Sequence, residues 1–297
     1  MKKFLILCFM FLSTSLIAQE TKKLKVVVSF SILADFAKII GGDEIDLASI
    51  VPLNSDPHVY QPSPDIAALI TQADLIIING LEFEGWMTRL LEATKFQGKV
   101  VIVSNGVIPR VLYNPTLPSA LPVSDPHAWH DVHQAMIYVK NISMALAQGD
   151  PAHAALYHQR TQDYLKKLEH LDFWIINTFR EIPGEQQKII SAHDAFGYFA
   201  ARYGLKMYAL QGISTESEPS AKQVADLINL IKQEQIKALF VENMTSHRLL
   251  QQVADETHID IGGTLYTDSL SDDKGPAKTY FDMMTHNVST IVKAIQN

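Results

Sequence analysis

Four side chains in this 297-residue chain are of the right types and settings to bind a metal ion: His58, His127, His193 and Asp268. Two of the histidines end the same tripeptide, Asp56-Pro57-His58 and Asp125-Pro126-His127. Proline fixes φ and stops a helix from running through it, so each imidazole is presented from a short, stiff loop. Two such presentations in one chain argue for two ligands aimed at one point. Neutral imidazole and carboxylate donate without sulfur, and three nitrogens with one oxygen suit a divalent transition metal. The four residues are therefore expected to converge on one ion.

Each candidate also has a plainer reading. A single loop histidine is ordinarily solvated or hydrogen-bonded, and it is the repeated context of His58 and His127 that argues otherwise. His193, in Ser-Ala-His-Asp-Ala-Phe-Gly-Tyr-Phe, falls where a strand ends, a usual place for a ligand in a parallel sheet. The plain alternative there is a helix start capped by Asp194. Asp268, in Tyr-Thr-Asp-Ser-Leu, has the weakest individual case, because Asp-Ser after a strand is common turn and capping chemistry. His130 reads as a supporting donor or an accessory ligand and is kept out of the set. His133, a turn further on, reads as solvated. His153, His158, His170, His247, His258 and His286 fall in or beside helical stretches and read as solvated or capping. Glu216 and Glu218 either line a cleft or solvate a loop, and Glu242, at a strand end, is a candidate support for a ligand.

The elements that must position these groups alternate. Lys25–Phe30, Ile45–Val51, Asp74–Asn79 and Lys99–Ser104 are apolar strands, separated by helices over Ile32–Ile40, Asp65–Gln72 and Phe83–Thr94. Residues 105–126 carry five prolines and read as an extended loop that delivers His127, followed by a helix to Gln148. Pro151 to about Glu181 reads as one unbroken helix, which at about 30 residues spans roughly 45 Å. The alternation then restarts, with strands at Lys188–Ala192, Lys206–Gln211, Ala238–Val241 and Ile259–Tyr266, and a closing helix over Lys278–Ile295. Continuous apolar strands between helices indicate α/β lobes with mostly parallel sheets, covered on both faces. The expected organisation is an N-terminal lobe over 24–148, a connecting helix over 151–182 and a C-terminal lobe over 185–297.

Composition narrows the class. Hydrophobic residues make up 47% of the chain, enough for a sizeable core, and the net charge of −7 disfavours nucleic acid as a partner. Lys2-Lys3, the apolar run Phe4–Leu12 and the small residues up to Ala18 follow the order of a secretory signal peptide, with cleavage expected after Ala18. Its removal takes two lysines and no acidic residue, leaving −9. Cys8, the single cysteine, lies inside the apolar run behind Leu7, which is a poor lipid-attachment context. An exported monomer without a membrane anchor is expected, in the periplasm of a double-membraned bacterium. His-Glu-x-x-His, Gly-x-Ser-x-Gly and glycine-rich phosphate motifs are absent from the sequence.

Four segments together carry a resemblance: Asp56-Pro57-His58-Val59-Tyr60, Asp125-Pro126-His127-Ala128-Trp129, His193-Asp194-Ala195-Phe196-Gly197-Tyr198-Phe199 and Tyr266-Thr267-Asp268-Ser269-Leu270. In order and spacing the chain resembles the metal-binding solute-binding proteins of bacterial ABC importers. That group includes the zinc- and manganese-uptake binding proteins and the pneumococcal surface adhesin. The resemblance implies two lobes joined by a rigid helix, with an ion held between them by His58 and His127 from one lobe and His193 and Asp268 from the other. It also implies delivery of the ion to an ABC permease in the inner membrane. Members tuned to manganese or iron usually carry Glu where this chain has His193, which favours Zn2+. The proline-rich stretch lacks the histidines of many zinc members and the Asp268-Ser269-Leu270 context looks like manganese-accepting ones, which keeps Mn2+ open. Two rivals of other classes are a secreted zinc hydrolase, which needs an open coordination position and a general base, and an adhesin.

Overall fold

The computed structural model describes residues 22–112 and 122–296. The signal-peptide reading and the middle of the proline-rich stretch lie outside the described residues.

The first half is built from β1 (Leu24–Val28), α1 (Ser31–Gly41), β2 (Ile45–Ser49), α2 (Pro64–Gln72), β3 (Leu75–Ile78), α3 (Met87–Thr94) and β4 (Lys99–Ile102). Its strands run parallel in the order β2-β1-β3-β4. Helix α1 shows why the pattern folds this way. Ile32, Leu33, Phe36, Ala37 and Ile40 recur at helical spacing and are all buried, and Gly42 ends the helix with φ 60°.

The proline-rich stretch is not simply extended. Val111–Leu112 (β5) and Val123–Ser124 (β6) pair antiparallel, so the segment leaves and returns as a hairpin. The hairpin base reaches the other half of the molecule: the Arg110 backbone N–H donates to the Tyr198 hydroxyl at 2.9 Å. A 3-10 turn over Ala128–His130 then leads into α4 (Val132–Gly149), whose N-cap Asp131 accepts from the His133 N–H at 2.8 Å.

The expected unbroken connector begins with a 3-10 turn over Pro151–His153 and continues as α5 (Ala154–Arg180), 27 residues or about 40 Å. Each end is tied to a different half. Near its start Arg160 bonds Glu44 at 2.6 Å and the Gly41 carbonyl at 2.8 Å. Further along, Asp172 accepts from the Tyr203 hydroxyl at 3.0 Å and pairs with Arg202.

The second half comprises β7 (Lys188–His193), α6 (Gly197–Tyr203), β8 (Lys206–Gln211), α7 (Ala221–Glu234), β9 (Ala238–Glu242), α8 (Arg248–Thr257), β10 (Ile261–Leu265) and α9 (Tyr280–Gln296). Its parallel sheet has the order β10-β9-β7-β8, so both sheets place their first strand between the second and third. Helix α7 starts with a reciprocal capping box between Ser220 and Gln223.

The core does not divide between the halves. One continuous apolar cluster runs from Val26, Phe30 and Phe36 through Leu168 and Ile175 of α5 to Phe196, Phe199, Phe240 and Met283. A smaller cluster, with Ile190, Leu239, Val224 and Val253, fills the second half beneath α7 and α8. Packing across the junction stiffens the relation between the two sheets.

Candidate metal centre

All four expected donors come together. One ligand atom from each of His58, His127, His193 and Asp268 lies within 4.8 Å of the other three, and all four residues are buried. His58 is in the loop after β2, His127 follows the hairpin, His193 is the last residue of β7, and Asp268 lies just past β10. Both halves thus contribute from the carboxyl ends of their strands, where open parallel sheets gather ligands.

The distances describe a small cage. His127 Nε2 lies 3.2 Å from His58 Nε2 and 3.4 Å from His193 Nε2. Asp268 Oδ2 lies 3.3 Å from His58 Nε2 and 3.2 Å from His193 Nε2, with Oδ1 at 3.7 Å from His127 Nε2. Tetrahedral nitrogen donors at zinc-ligand bond lengths are separated by about 3.3 Å. Neither Asp268 oxygen has a conventional hydrogen bond among the described residues, so both are left to something between the imidazoles.

Behind the imidazoles stand carboxylates. His193 Nδ1 lies 2.5 Å from Glu242 Oε2, and Glu242 Oε1 accepts the backbone N–H groups of Ala192 and His193 at 3.0 and 3.1 Å. Glu242 Oε2 also accepts from the Thr267 hydroxyl at 3.2 Å, next to Asp268. His127 Nδ1 lies 2.9 Å from Asp125 Oδ1. With Nδ1 donating to a carboxylate, Nε2 keeps its lone pair for the cage, and the ring orientation is fixed.

The Asp-Pro-His repeat now has a physical basis. Asp56 Oδ1 accepts from His58 N–H at 2.9 Å, and Asp125 Oδ1 from His127 N–H at 3.0 Å, so both tripeptides close the same side-chain-to-backbone turn. The Asp56 carboxylate also bridges the halves, its Oδ2 accepting from the Thr215 hydroxyl at 2.6 Å. Further bonds close the seam nearby: Asn54 N–H to the Leu270 carbonyl, Leu270 N–H to Ser31 Oγ and Trp129 Nε1 to the Thr267 carbonyl.

The cage is electrostatically polarised. Burial opposes charge on His193, but the Glu242 and Asp268 carboxylates outweigh it and hold its pKa well above 6.5. Burial likewise opposes charge on Asp268, and the His193 and His127 imidazoles outweigh it, holding its pKa well below 3.8. His58 is pushed below 6.5 by burial, against the pull of Asp268.

The other histidines separate cleanly. His133 is exposed, as expected. His130 is fully buried between Trp129 and Phe196, with neither ring nitrogen bonded among the described residues, and burial pushes its pKa to about 3. It is a neutral packing residue and not one of the converging donors. Glu216 and Glu218 are exposed in the loop that carries Thr215. Sequence reasoning missed Asp125 and Asp56 as supports. The repeated Asp in the two tripeptides was the signal that could have found them.

A two-lobed α/β frame with a buried cluster of nitrogen and oxygen donors between its halves is suited to holding a cation, and so defines a metal-binding protein. Comparison with known proteins gives the family. The sequence profile described as "Zinc-uptake complex component A periplasmic" matches residues 26–294, and the chain belongs to that family of metal-binding substrate-binding proteins of ABC transporters. It is 36% identical over 284 residues to the manganese ABC transporter substrate-binding lipoprotein PsaA of Streptococcus anginosus, covering 94% of this chain and 91% of that one. It is 35% identical over 287 residues to the iron-binding protein YfeA of Yersinia pestis, covering 95% and 91%. Among solved structures, the periplasmic zinc-binding protein TroA of Treponema pallidum superposes with a TM-score of 0.86 at 31% identity, covering 92% of this chain and 99% of that one. Members of the family are binding components that work with a membrane permease, not enzymes. Among the described residues no helix is long and apolar enough to cross a membrane.

Proposed function

We propose that this protein captures Zn2+ through His58, His127, His193 and Asp268 and delivers it to an ABC permease. The observation that carries the reading is the spacing of three Nε2 atoms and one carboxylate oxygen at 3.2–3.4 Å along four of the edges between them, the separation of a tetrahedral zinc shell. Support also comes from the carboxylates behind His127 and His193, an arrangement usual for zinc-bound histidine. The four donors replace the water shell of the ion, and no bond of the cargo is made or broken beyond coordination.

Manganese is the second reading, and one observation favours it. Among the described residues neither Asp268 oxygen has a conventional hydrogen bond, and both lie near imidazoles, which permits a bidentate carboxylate and a fifth bond. Relatives named for manganese and iron stand beside one named for zinc. Divalent zinc binds nitrogen-rich sites more tightly than manganese as a rule, so affinity and cellular cargo are separate questions.

The test is elemental analysis of tag-free protein purified without added metal, joined to competition titrations with Zn2+ and Mn2+. Zinc at about one ion per chain, lost in His193→Ala and Asp268→Ala, is the expected result. Manganese in its place, with weak zinc binding, overturns the zinc assignment, and metal retained in both variants overturns the ligand set.

The periplasm is the proposed compartment, with the chain released by cleavage after Ala18 and free of Cys8. The streptococcal relative PsaA is named a lipoprotein. The mass of the exported chain decides the point: a chain starting at Gln19 supports release, and an acylated cysteine refutes it.

A further inference from the structure

We propose that Asn79 and Trp86 are positioning residues that set the His58–His127 separation, and with it the preference of the site between metals. The inference rests on the ligand assignment above and adds a specificity device to it.

The argument starts from two peptide planes. The peptide joining Pro57 to His58 has its N–H held by Asp56 Oδ1 at 2.9 Å, and its C=O accepts from Trp86 Nε1 at 2.8 Å. The peptide joining Pro126 to His127 has its N–H held by Asp125 Oδ1 at 3.0 Å, and its C=O accepts from Asn79 Nδ2 at 3.0 Å. A peptide unit is planar, so a bond at each edge fixes its orientation and the direction in which the next Cα leaves it. Each ligand histidine from the first half therefore hangs from a plane clamped on both sides. The N–H clamps are local to the two tripeptides. The C=O clamps both come from one short segment, residues 79–86.

That segment is braced for the task. Gly80, Leu81 and Glu82 have φ of 83°, 54° and 65°, a run of left-handed residues of which two are not glycine. Such conformations are unfavourable and persist where surroundings enforce them, commonly beside a functional site. The enforcement comes from Glu84, whose carboxylate accepts from Asn79 N–H at 2.7 Å, Gly80 N–H at 3.2 Å and the Ser29 hydroxyl at 2.6 Å. Within the same turn the Phe83 ring packs edge-on to His58, with centroids 4.7 Å apart, and lies 5.9 Å from His127. One braced turn thus grips both loops and fills the space beside both rings.

The consequence is selective. A fixed separation near 3.2 Å matches the short bonds of zinc, whereas manganese is served by oxygen ligands and larger shells and tolerates a looser pair. Losing a clamp should weaken zinc more than manganese.

The experiment uses the full mature chain and four variants: Trp86→Phe, Asn79→Ala, His58→Ala and Asp172→Asn. Trp86→Phe keeps an aromatic ring against Tyr60 but lacks the N–H donor. Asp172→Asn weakens the Arg202 contact on α5, far from the clamps in the chain, and controls for lost stability alone. Zn2+ and Mn2+ affinities are measured by competition, the visible absorption of the Co2+ form reports ligand geometry, and melting is followed alongside. The expected result is a zinc affinity about tenfold lower in both clamp variants, of the size seen when ligand supports are removed. A reduced zinc-to-manganese ratio and an altered Co2+ spectrum should accompany it. Asp172→Asn should melt earlier with ratio and spectrum unchanged. If the clamp variants merely melt earlier, with ratio and spectrum of the parent, the inference is wrong while the ligand assignment stands. If His58→Ala binds like the parent, the ligand assignment itself fails and the inference goes with it.

Discussion

Glu242 Oε2 lies 2.5 Å from His193 Nδ1, with both residues fully buried and joined across adjacent parallel strands. The pairing of β7 with β9 aligns Ile189 with Ala238 and Ile190 with Leu239, and the same register continued places Glu242 beside His193. The carboxylate selects the tautomer, aims Nε2 into the cage and makes the imidazole a stronger donor.

Replacing Glu242 with Gln keeps the shape and removes the charge. Metal affinity is expected to fall about 10- to 100-fold, the range found for supports of metal-bound histidine. A competition titration measures it, and an affinity within about twofold of the parent would assign Glu242 to packing alone.

The pair also predicts proton release. In the metal-free protein the raised pKa of His193 and the depressed pKa of Asp268 describe one charge cluster, counted once. Its stabilisation is complete between the ordinary values of 3.8 and 6.5, fading above as His193 deprotonates through its raised pKa. It fades below as Asp268 protonates through its lowered one. Metal needs the Nε2 lone pair, so capture near neutral pH expels about one proton. Calorimetry in buffers of different ionisation heat reads this directly. The melting-temperature gap between loaded and metal-free protein should narrow as pH falls through neutrality. A binding constant flat from about pH 6 to about pH 8 would mean that His193 is already neutral.

The family resemblance implies that His193→Glu moves preference toward manganese. In the fold that substitution sets a second carboxylate against buried Glu242, and two adjacent buried carboxylates cannot both ionise cheaply. His193→Glu alone is expected to weaken zinc and gain little for manganese. The double variant His193→Glu with Glu242→Gln should recover manganese binding by about tenfold or more over the single one. Equal manganese affinities in the two would remove the electrostatic argument.

Thr215 offers a route for release. Its hydroxyl joins a largely exposed loop of the second half to Asp56, which holds the His58 backbone. A hydrogen bond to a charged group contributes about 1.5–3 kcal/mol. Thr215→Val should speed metal dissociation about tenfold in a stopped-flow chelator assay and lower the melting temperature by a few degrees. An unchanged dissociation rate places the exit elsewhere.

Much of this protein was readable from its residues. Continuous apolar runs gave the strands and the period-3.6 patterns gave the helices, because burial leaves a trace in local order. The four donors were found from two repeated tripeptides and two strand ends. The supports were less visible. Glu242 is an ordinary strand-end residue until the register sets it beside His193, and nothing local to Asn79 or Trp86 links them to Pro126 and Pro57, 47 and 29 residues away. The hairpin of β5 and β6 was hidden because two-residue strands among prolines carry no periodicity.

The sequence by itself singled out four side chains suited to a metal, two in repeated loop tripeptides and two at strand ends, since donor chemistry and local periodicity are properties of the residues. Tertiary structure alone decided that Nε2 is the atom offered, that the donors stand 3.2–3.4 Å apart along the closest edges, and that neighbouring carboxylates pull the His193 pKa upward. Tautomer, spacing and protonation depend on groups that meet only when distant segments fold together and water is excluded from between them.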